Sequence, residues 1–389
     1  MKKFLFGVAT SAHQIEGDNK YNDWWFSELG GKYKTHSDKA CNSYEMYKED
    51  NKIIESLGCN SYRFSIEWSR IEKSPRVYDD KEIEHYVSMI DDMLKLGIEP
   101  MITLHHFTNP LWFELMGGWT KKENAQYFVD FIRYLMPSLQ GKVKYFITFN
   151  EANTYVSAKY IGKVWHPFEN NFIKAYQAWS NVIHCHRSLY ILIKKHIPES
   201  MIGISVQCIK PKFSRKRDIW KIIPTYIAAY LSNHFTFSQL KHNYLDFLGA
   251  QFYSKLSIEI DFKLVPPLKL SPDLMNPTMV FDQHARDILF VLKDLRRYKL
   301  PIILTENGYL GDDDKKRCDY LLRLFFYLDP YIRKNNLLIG YYYWSLLDNF
   351  EWGFGFKPKF GLYSVDPITY KRIAKPSANI YKEIIKKYR

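Results

Sequence analysis

Two stretches of this 389-residue chain end an apolar, β-branched run on a glutamate: Thr148-Phe149-Asn150-Glu151 and Thr305-Glu306-Asn307-Gly308. One such Glu is a weak signal, because most are solvent-facing or salt-bridged. Two of them at a single rim can face each other across a cavity, and paired carboxylates are what cleavage of a glycosidic bond requires. One protonates the leaving oxygen; the other attacks or assists at the anomeric carbon, and the two carboxyl groups stand about 5 Å apart when a covalent intermediate forms.

Other polar groups fall at comparable points. Gln14 follows the first apolar run, Arg63 lies on the second, His106 closes the third, Tyr253 sits in the sixth and Trp344 in the last. Each has a bland reading alone; His105 and His106, for instance, could be ordinary core or surface histidines. Converging on one rim, they read as a site, since burying polar groups without a ligand costs desolvation. An Arg beside a carboxylate keeps it ionised and nucleophilic, whereas an acid catalyst must hold its proton at the working pH. If Arg63 lies nearer Glu306, that carboxylate is the nucleophile and Glu151 the proton donor.

Positioning such groups calls for a repeated strand and helix pattern. Apolar, β-branched and aromatic runs predict eight strands: Phe4–Thr10, Tyr62–Glu67, Met101–His106, Tyr145–Asn150, Met201–Gln207, Phe247–Ser254, Ile302–Asn307 and Gly340–Leu347. Helical spacing separates them over Tyr44–Leu57, Lys81–Leu96, Lys121–Leu139, Phe172–His196, Tyr226–His242, Asp282–Arg297 and Lys315–Lys334, with a last helix after Pro376. Continuous strands alternating with helices mean a parallel sheet buried on both faces. Eight such units in series favour a closed (β/α)8 TIM barrel of the α/β class, forming one domain over residues 1–389. Loops are expected over Phe107–Thr120, Lys210–Pro224, Ser254–Met279 and Asp348–Tyr370, mostly after strands, the end where such a barrel keeps its active site.

Five ordered stretches carry a resemblance. They are Phe6-Gly7-Val8-Ala9-Thr10-Ser11-Ala12-His13-Gln14-Ile15-Glu16-Gly17, Tyr62-Arg63-Phe64-Ser65-Ile66-Glu67-Trp68-Ser69-Arg70, the two glutamate motifs, and Trp344-Ser345-Leu346-Leu347-Asp348-Asn349-Phe350-Glu351-Trp352. Together they resemble glycoside hydrolase family 1, the β-glucosidase and β-galactosidase family, from the first strand to the last. The resemblance implies that Glu151 is the acid/base and Glu306 the nucleophile of a retaining double displacement on terminal β-glucosyl, β-galactosyl or β-fucosyl residues. It further implies that Gln14, His106, Asn150, Glu351 and Trp352 bind sugar hydroxyls, that Arg63 and Tyr253 orient and charge-stabilise Glu306, and that Trp344 forms a stacking platform.

Three departures stand out. Ala152 follows Glu151 where the family usually has Pro, Gln251-Phe252-Tyr253 replaces Asn-Tyr-Tyr, and the chain is short for the family, which suggests trimmed loops and an open leaving-group side. A 6-phospho-β-glycosidase is the nearest rival, but that branch has a small residue in place of Glu351 and a Lys and Tyr where this chain has Pro358 and Phe360. A carboxylate at Glu351 is expected to repel a phosphate. A transglycosylase would share the intermediate, and a non-catalytic sugar-binding protein should lack one of the two carboxylates.

Composition bounds the remaining classes. Aromatic residues make up 17% of the chain, including 30 Tyr and 10 Trp, suited to core packing and to stacking on sugar rings. The formal charge of +13 is spread along the sequence, and its densest runs, Lys210–Lys216 and Lys382–Arg389, are read as solvated faces without a nucleic-acid motif or a membrane role. The five cysteines form no Cys-x-x-Cys pair and are odd in number, which speaks against a disulfide framework or a zinc site and for a reducing compartment. The apolar run after Met1 is broken at Gly7 and Thr10, so it is read as a strand rather than a signal, and the location expected is cytoplasmic. No metal or organic cofactor is called for. The expected partners are small β-glycosides or short oligosaccharides, with homo-oligomerisation left open.

Overall fold

The computed structural model describes residues 4–212, 219–240, 243–260, 268–271, 284–334 and 337–389. Strands β1 (Leu5–Ala9), β2 (Ser61–Ser65), β3 (Glu99–His105), β4 (Tyr145–Phe149), β5 (Met201–Pro211), β6 (Phe247–Ile260), β7 (Leu268–Ser271), β8 (Ile302–Asn307) and β9 (Leu338–Trp344) form one sheet, and β10 (Tyr363–Val365) pairs with β11 (Arg372–Ala374). The order β5-β4-β3-β2-β1-β9-β8-β6 is parallel throughout and closes through a β5–β6 pairing, which gives the eight-stranded barrel expected. β7 is an addition, antiparallel to the end of β6 with Ser257 opposite Ser271.

Alternation along each strand sorts side chains between two cores. Phe6, Val8, Tyr62, Phe64, Ile102, Leu104 and Leu304 face the helices, whereas Leu5, Ala9, Met101, Ile147, Phe247, Ile303 and Tyr342 fill the barrel. The helix Ala125–Leu139 buries Phe128, Val129, Phe131, Ile132, Leu135, Met136 and Leu139, the three- and four-residue spacing of one helical face. The last helix, Pro376–Tyr388, starts on a proline suited to the first helical position, and its Tyr381 Oη donates to Gly7 O at 2.6 Å.

The ladder is irregular near the end of β8. Across β6 and β8 the register runs Gly249 to Ile303 and Ala250 to Leu304, then jumps to Gln251 opposite Glu306; against β9 it jumps between Leu304 and Asn307. β8 therefore carries an extra residue at Thr305 and Glu306, a bulge that re-aims side chains at the strand end.

The expected elements need several corrections. Glu67, His106, Asn150 and Leu347 lie beyond their strands, because the chain turns as soon as the ladder ends. The stretch Ser254–Met279 is not all loop: β6 continues to Ile260 and β7 pairs with it, since Leu256, Ile258 and Ile260 continue a period-two pattern. Likewise β5 reaches Pro211 and a helix spans Ile219–Leu240, shortening the loop expected over Lys210–Pro224. Residues 213–218, 261–267 and 272–283, and His242 at the end of an expected helix, lie outside the described residues. Short helices at Asp23–Leu29, Leu111–Leu115 and Ala152–Tyr160 are additional, the second inside an expected loop.

Candidate active site

Glu306 and Glu151 reach the C-terminal rim by different local devices. In regular alternation Ile303 points inward, Leu304 outward and Thr305 inward, so Glu306 would face the helices. The bulge turns it in, and Thr305 still points inward, within 2.9 Å of Ser205 Oγ on β5. Glu151 lies just past β4 in left-handed backbone, φ 38° and ψ 55°, and forms the N-terminal cap of the helix Ala152–Tyr160. That conformation costs a non-glycine residue on the order of 1–2 kcal/mol and lets Asn150 and Glu151 serve the same site. At Gly308 a Cβ would sit 1.8 Å from Trp344 O, so only glycine lets the end of β8 lie against Trp344.

A buried hydrogen-bond network joins the strand ends. Arg63, fully buried, donates from Nη1 to Glu306 Oε1 at 2.5 Å and to Thr305 O at 3.0 Å, from Nη2 to Asn150 Oδ1 at 2.6 Å, and from Nε to Thr103 Oγ1 at 3.0 Å. Tyr253 Oη donates to Glu306 Oε2 at 2.9 Å. Gln251 Nε2 donates to Glu306 Oε1 at 2.8 Å and to Asn150 Oδ1 at 2.7 Å.

Because a guanidinium only donates, the orientations downstream of Arg63 are fixed in turn. Asn150 must turn its oxygen to Arg63 and its amide nitrogen to His106 Nε2, 3.2 Å away. His106 then accepts at Nε2 and carries its proton on Nδ1. That Nδ1 and Gln251 Oε1 are both buried without a protein partner, one donor and one acceptor available to a ligand.

The electrostatics separate the two carboxyls. Burial raises the Glu306 pKa above the ordinary carboxylate value, and the Arg63 charge with the bonds from Arg63, Tyr253 and Gln251 pulls it back. Burial raises Glu151 well above that value, the Glu306 charge raises it further, and a bond to Thr154 and the more distant Arg63 oppose only weakly. Glu306 is thus the carboxyl that ionises first and Glu151 the one that keeps its proton. Glu351 is pushed up to about 8 by burial and by the Glu306 charge, against bonds from Gln14 and Trp344. His106 falls well below its usual value by burial and by the Arg63 charge, and is neutral.

The other sequence candidates converge on the same rim. Gln14, on the short helix after β1, donates from Nε2 to Phe350 O at 2.9 Å and to Glu351 Oε2 at 3.2 Å, tying the first strand end to the last loop. The rings of Trp344 and Trp352 lie nearly parallel to His106, with centroids 6.0 and 6.2 Å away. Asn307, though inside a motif, is a structural brace: it donates to Phe252 O at 2.6 Å and accepts from Tyr320 and Tyr341. The sequence reading missed an aromatic wall behind Trp352, made of Trp24 at 4.8 Å, Phe107 at 5.3 Å and Trp165 at 5.8 Å between centroids. Only the high aromatic share hinted at it. It also missed Lys159, buried between Asp23 at 2.8 Å and Glu114 at 3.0 Å under that wall.

Known proteins resemble this chain in sequence and fold. The model of the family described as glycosyl hydrolase family 1 matches residues 1–260 and 269–389. Beta-glucosidase A of Thermotoga maritima is 32% identical, with 98% of this chain and 97% of that protein covered. Among solved structures, a beta-glycosidase from Pyrococcus horikoshii superposes with a TM-score of 0.90 at 34% identity, over 99% of this chain and 94% of the other. A family 1 β-glucosidase from Thermotoga maritima gives 0.88 at 29% identity, over 100% and 98%. The chain belongs to glycosyl hydrolase family 1.

Proposed function

We propose that the protein is a retaining β-glycosidase releasing terminal β-D-glucosyl residues, and with them β-D-galactosyl or β-D-fucosyl residues, by double displacement. The observation that carries this reading is the unequal treatment of two buried carboxyls: Arg63, Tyr253 and Gln251 all donate to Glu306, and none of them donates to Glu151. In the first step the Glu306 carboxylate bonds to the anomeric carbon while the bond to the aglycone oxygen breaks and Glu151 gives that oxygen its proton. Glu306 is then a neutral ester, so the charge that had raised the Glu151 pKa is gone. Glu151, now ionised and more weakly basic, takes a proton from water as the water oxygen attacks the anomeric carbon and Glu306 leaves as carboxylate. Burial holds its pKa up throughout, and the loss of the neighbouring charge lowers it between the two steps.

Gln14, His106, Asn150, Glu351 and Trp352 are the proposed sugar-hydroxyl contacts, with Trp344 as platform. With its pKa near 8, Glu351 is largely protonated at neutral pH and offers one donor and one acceptor. This removes the repulsion expected between a Glu351 carboxylate and a phosphate. The case against a phosphorylated sugar rests instead on Pro358 and on Phe360, which packs on Tyr253 at 5.7 Å and has no donor to offer. The five free cysteines, four of them buried, fit the further proposal of a reducing, cytoplasmic setting.

NMR of the first sugar released from an aryl β-glucoside tests the reading: the β anomer should form first, and α first would overturn it. Trapping with a 2-deoxy-2-fluoro glycoside should add mass to the peptide containing Glu306.

A further inference from the structure

The helices Phe172–His196 and Ile219–Leu240 lie side by side on the outer ring. Trp179 stacks on Phe235 with centroids 4.0 Å apart, and Arg187 Nη2 donates to Gln239 O at 2.8 Å. The second helix turns outward Ile223, Tyr226, Ile227, Tyr230 and Leu231, each 47–60% exposed, at the spacing of one continuous helical face. Its neighbour adds Phe172, Ile173 and Tyr176, 54–73% exposed. Scattered exposed apolar residues need no explanation, but a contiguous stripe this size marks an interaction surface.

The charge pattern identifies the partner. Neither the 25-residue nor the 22-residue helix contains an Asp or Glu, in a chain with 42 acidic residues. Most acidic groups from other elements that reach these helices are ion-paired: Glu169 with Lys174 at 2.7 Å, Asp246 with Lys194 at 2.9 Å and Asp294 with His234 at 2.9 Å. Glu123 shares a surface pocket with Tyr176, but Lys121, Lys122 and Lys174 line the same pocket and outnumber it. Arg187 and the exposed Lys195 remain on a molecule of net charge +13. A second copy presenting the same layer would bring apolar area but an excess of cations over its one nearby carboxylate outside those pairs, Glu123. A bilayer with anionic headgroups brings both apolar area and negative charge, and tyrosines among aliphatic side chains suit the boundary between headgroups and acyl chains. Among the described residues no helix is long and apolar enough to span a membrane, so the contact is peripheral.

We propose that this two-helix layer docks the protein on an anionic lipid surface, against the sequence-based expectation of no membrane role. The stripe abuts the catalytic rim: Asn153, two residues past Glu151, donates from Nδ2 to Ser232 Oγ at 3.1 Å, beside Leu231. Docking there sets the open end of the barrel near the lipid surface.

Vesicle co-sedimentation of the full chain tests this with phosphatidylcholine alone and with phosphatidylcholine containing phosphatidylglycerol. Binding should be at least roughly tenfold stronger to the anionic vesicles and should weaken as salt rises. Ile227→Glu should cut binding by a similar factor while a soluble aryl glucoside is hydrolysed as before. Lys195→Glu, which leaves the apolar stripe intact, should weaken binding to anionic vesicles only. Equal or no binding to the two vesicle types would overturn the proposal, as would a wild-type dimer in solution that Ile227→Glu dissolves.

Discussion

Replacing Gln251 by Met separates the orientation of the nucleophile from the rest of the site. The side chain is fully buried and its amide donates to Glu306 Oε1 at 2.8 Å and to Asn150 Oδ1 at 2.7 Å. Met has nearly the same volume, and both acceptors keep their bonds to Arg63, so no buried group is orphaned and the fold should survive. A hydrogen bond to a charged group contributes about 1.5–3 kcal/mol, and about 1.4 kcal/mol corresponds to one pKa unit. Because Arg63 and Tyr253 still serve Glu306, the low end applies, a rise of roughly one unit in its pKa. The donor favours the ionised carboxyl, so its loss moves protonation to higher pH. The acid limb of the kcat/KM profile, which reports the free enzyme, should therefore shift up by roughly one unit, with about tenfold less activity at pH values below the limb beyond any loss on the plateau, which reads the separate loss of Gln251 Oε1 as a ligand acceptor. The two carboxyls titrate as a pair, so the limb is read as the first proton lost by the pair. An unmoved limb, or one displaced to lower pH, would refute the reasoning.

Glu306→Gln should leave a folded protein whose kcat on aryl glucosides falls by several orders of magnitude, while unchanged turnover would remove it from the nucleophile role. Glu151→Gln should slow alkyl glycosides, which need a proton on the leaving oxygen, far more than nitrophenyl ones; equal losses would count against the acid role. Lys159→Met leaves Asp23 and Glu114 buried without their shared cation and should lower the unfolding free energy by about 3–5 kcal/mol in urea titration. Gly308→Ala should perturb the rim badly, because its Cβ would fall 1.8 Å from Trp344 O, and wild-type activity in that variant would contradict the close approach.

The barrel was legible in the sequence because β1 and β4 are continuous apolar, aromatic or β-branched runs, β3 holds such a run from Met101 to Leu104, and helical stretches separate them at barrel spacing. Element edges were less so. Asn150 and His106 look like strand residues but lie past the ladder, where tertiary contacts decide the path. The hairpin of β6 and β7 was hidden by its place after a strand already long enough to finish. In the site, Arg63, Tyr253 and Glu306 lie together, a grouping that the family resemblance implied and that residue types alone left conditional. The part played by Gln251 was not legible: its reach to two acceptors depends on the extra methylene and on the Arg63 orientation, neither of which a one-dimensional pattern encodes. The wall of Trp24, Phe107 and Trp165 drew on loops far apart in the chain with no motif in common.

The bulge in β8 has a consequence for anyone moving this site to another barrel. Counting residues along a regular strand assigns position 306 to the wrong side of the wall, and a graft copying Thr-Glu-Asn onto an unbroken ladder would bury an acid among the helices. Deleting one residue between Leu304 and Asn307 would give a tidier strand and an inert protein. Here the proposed nucleophile faces the barrel because the strand is imperfect at one step.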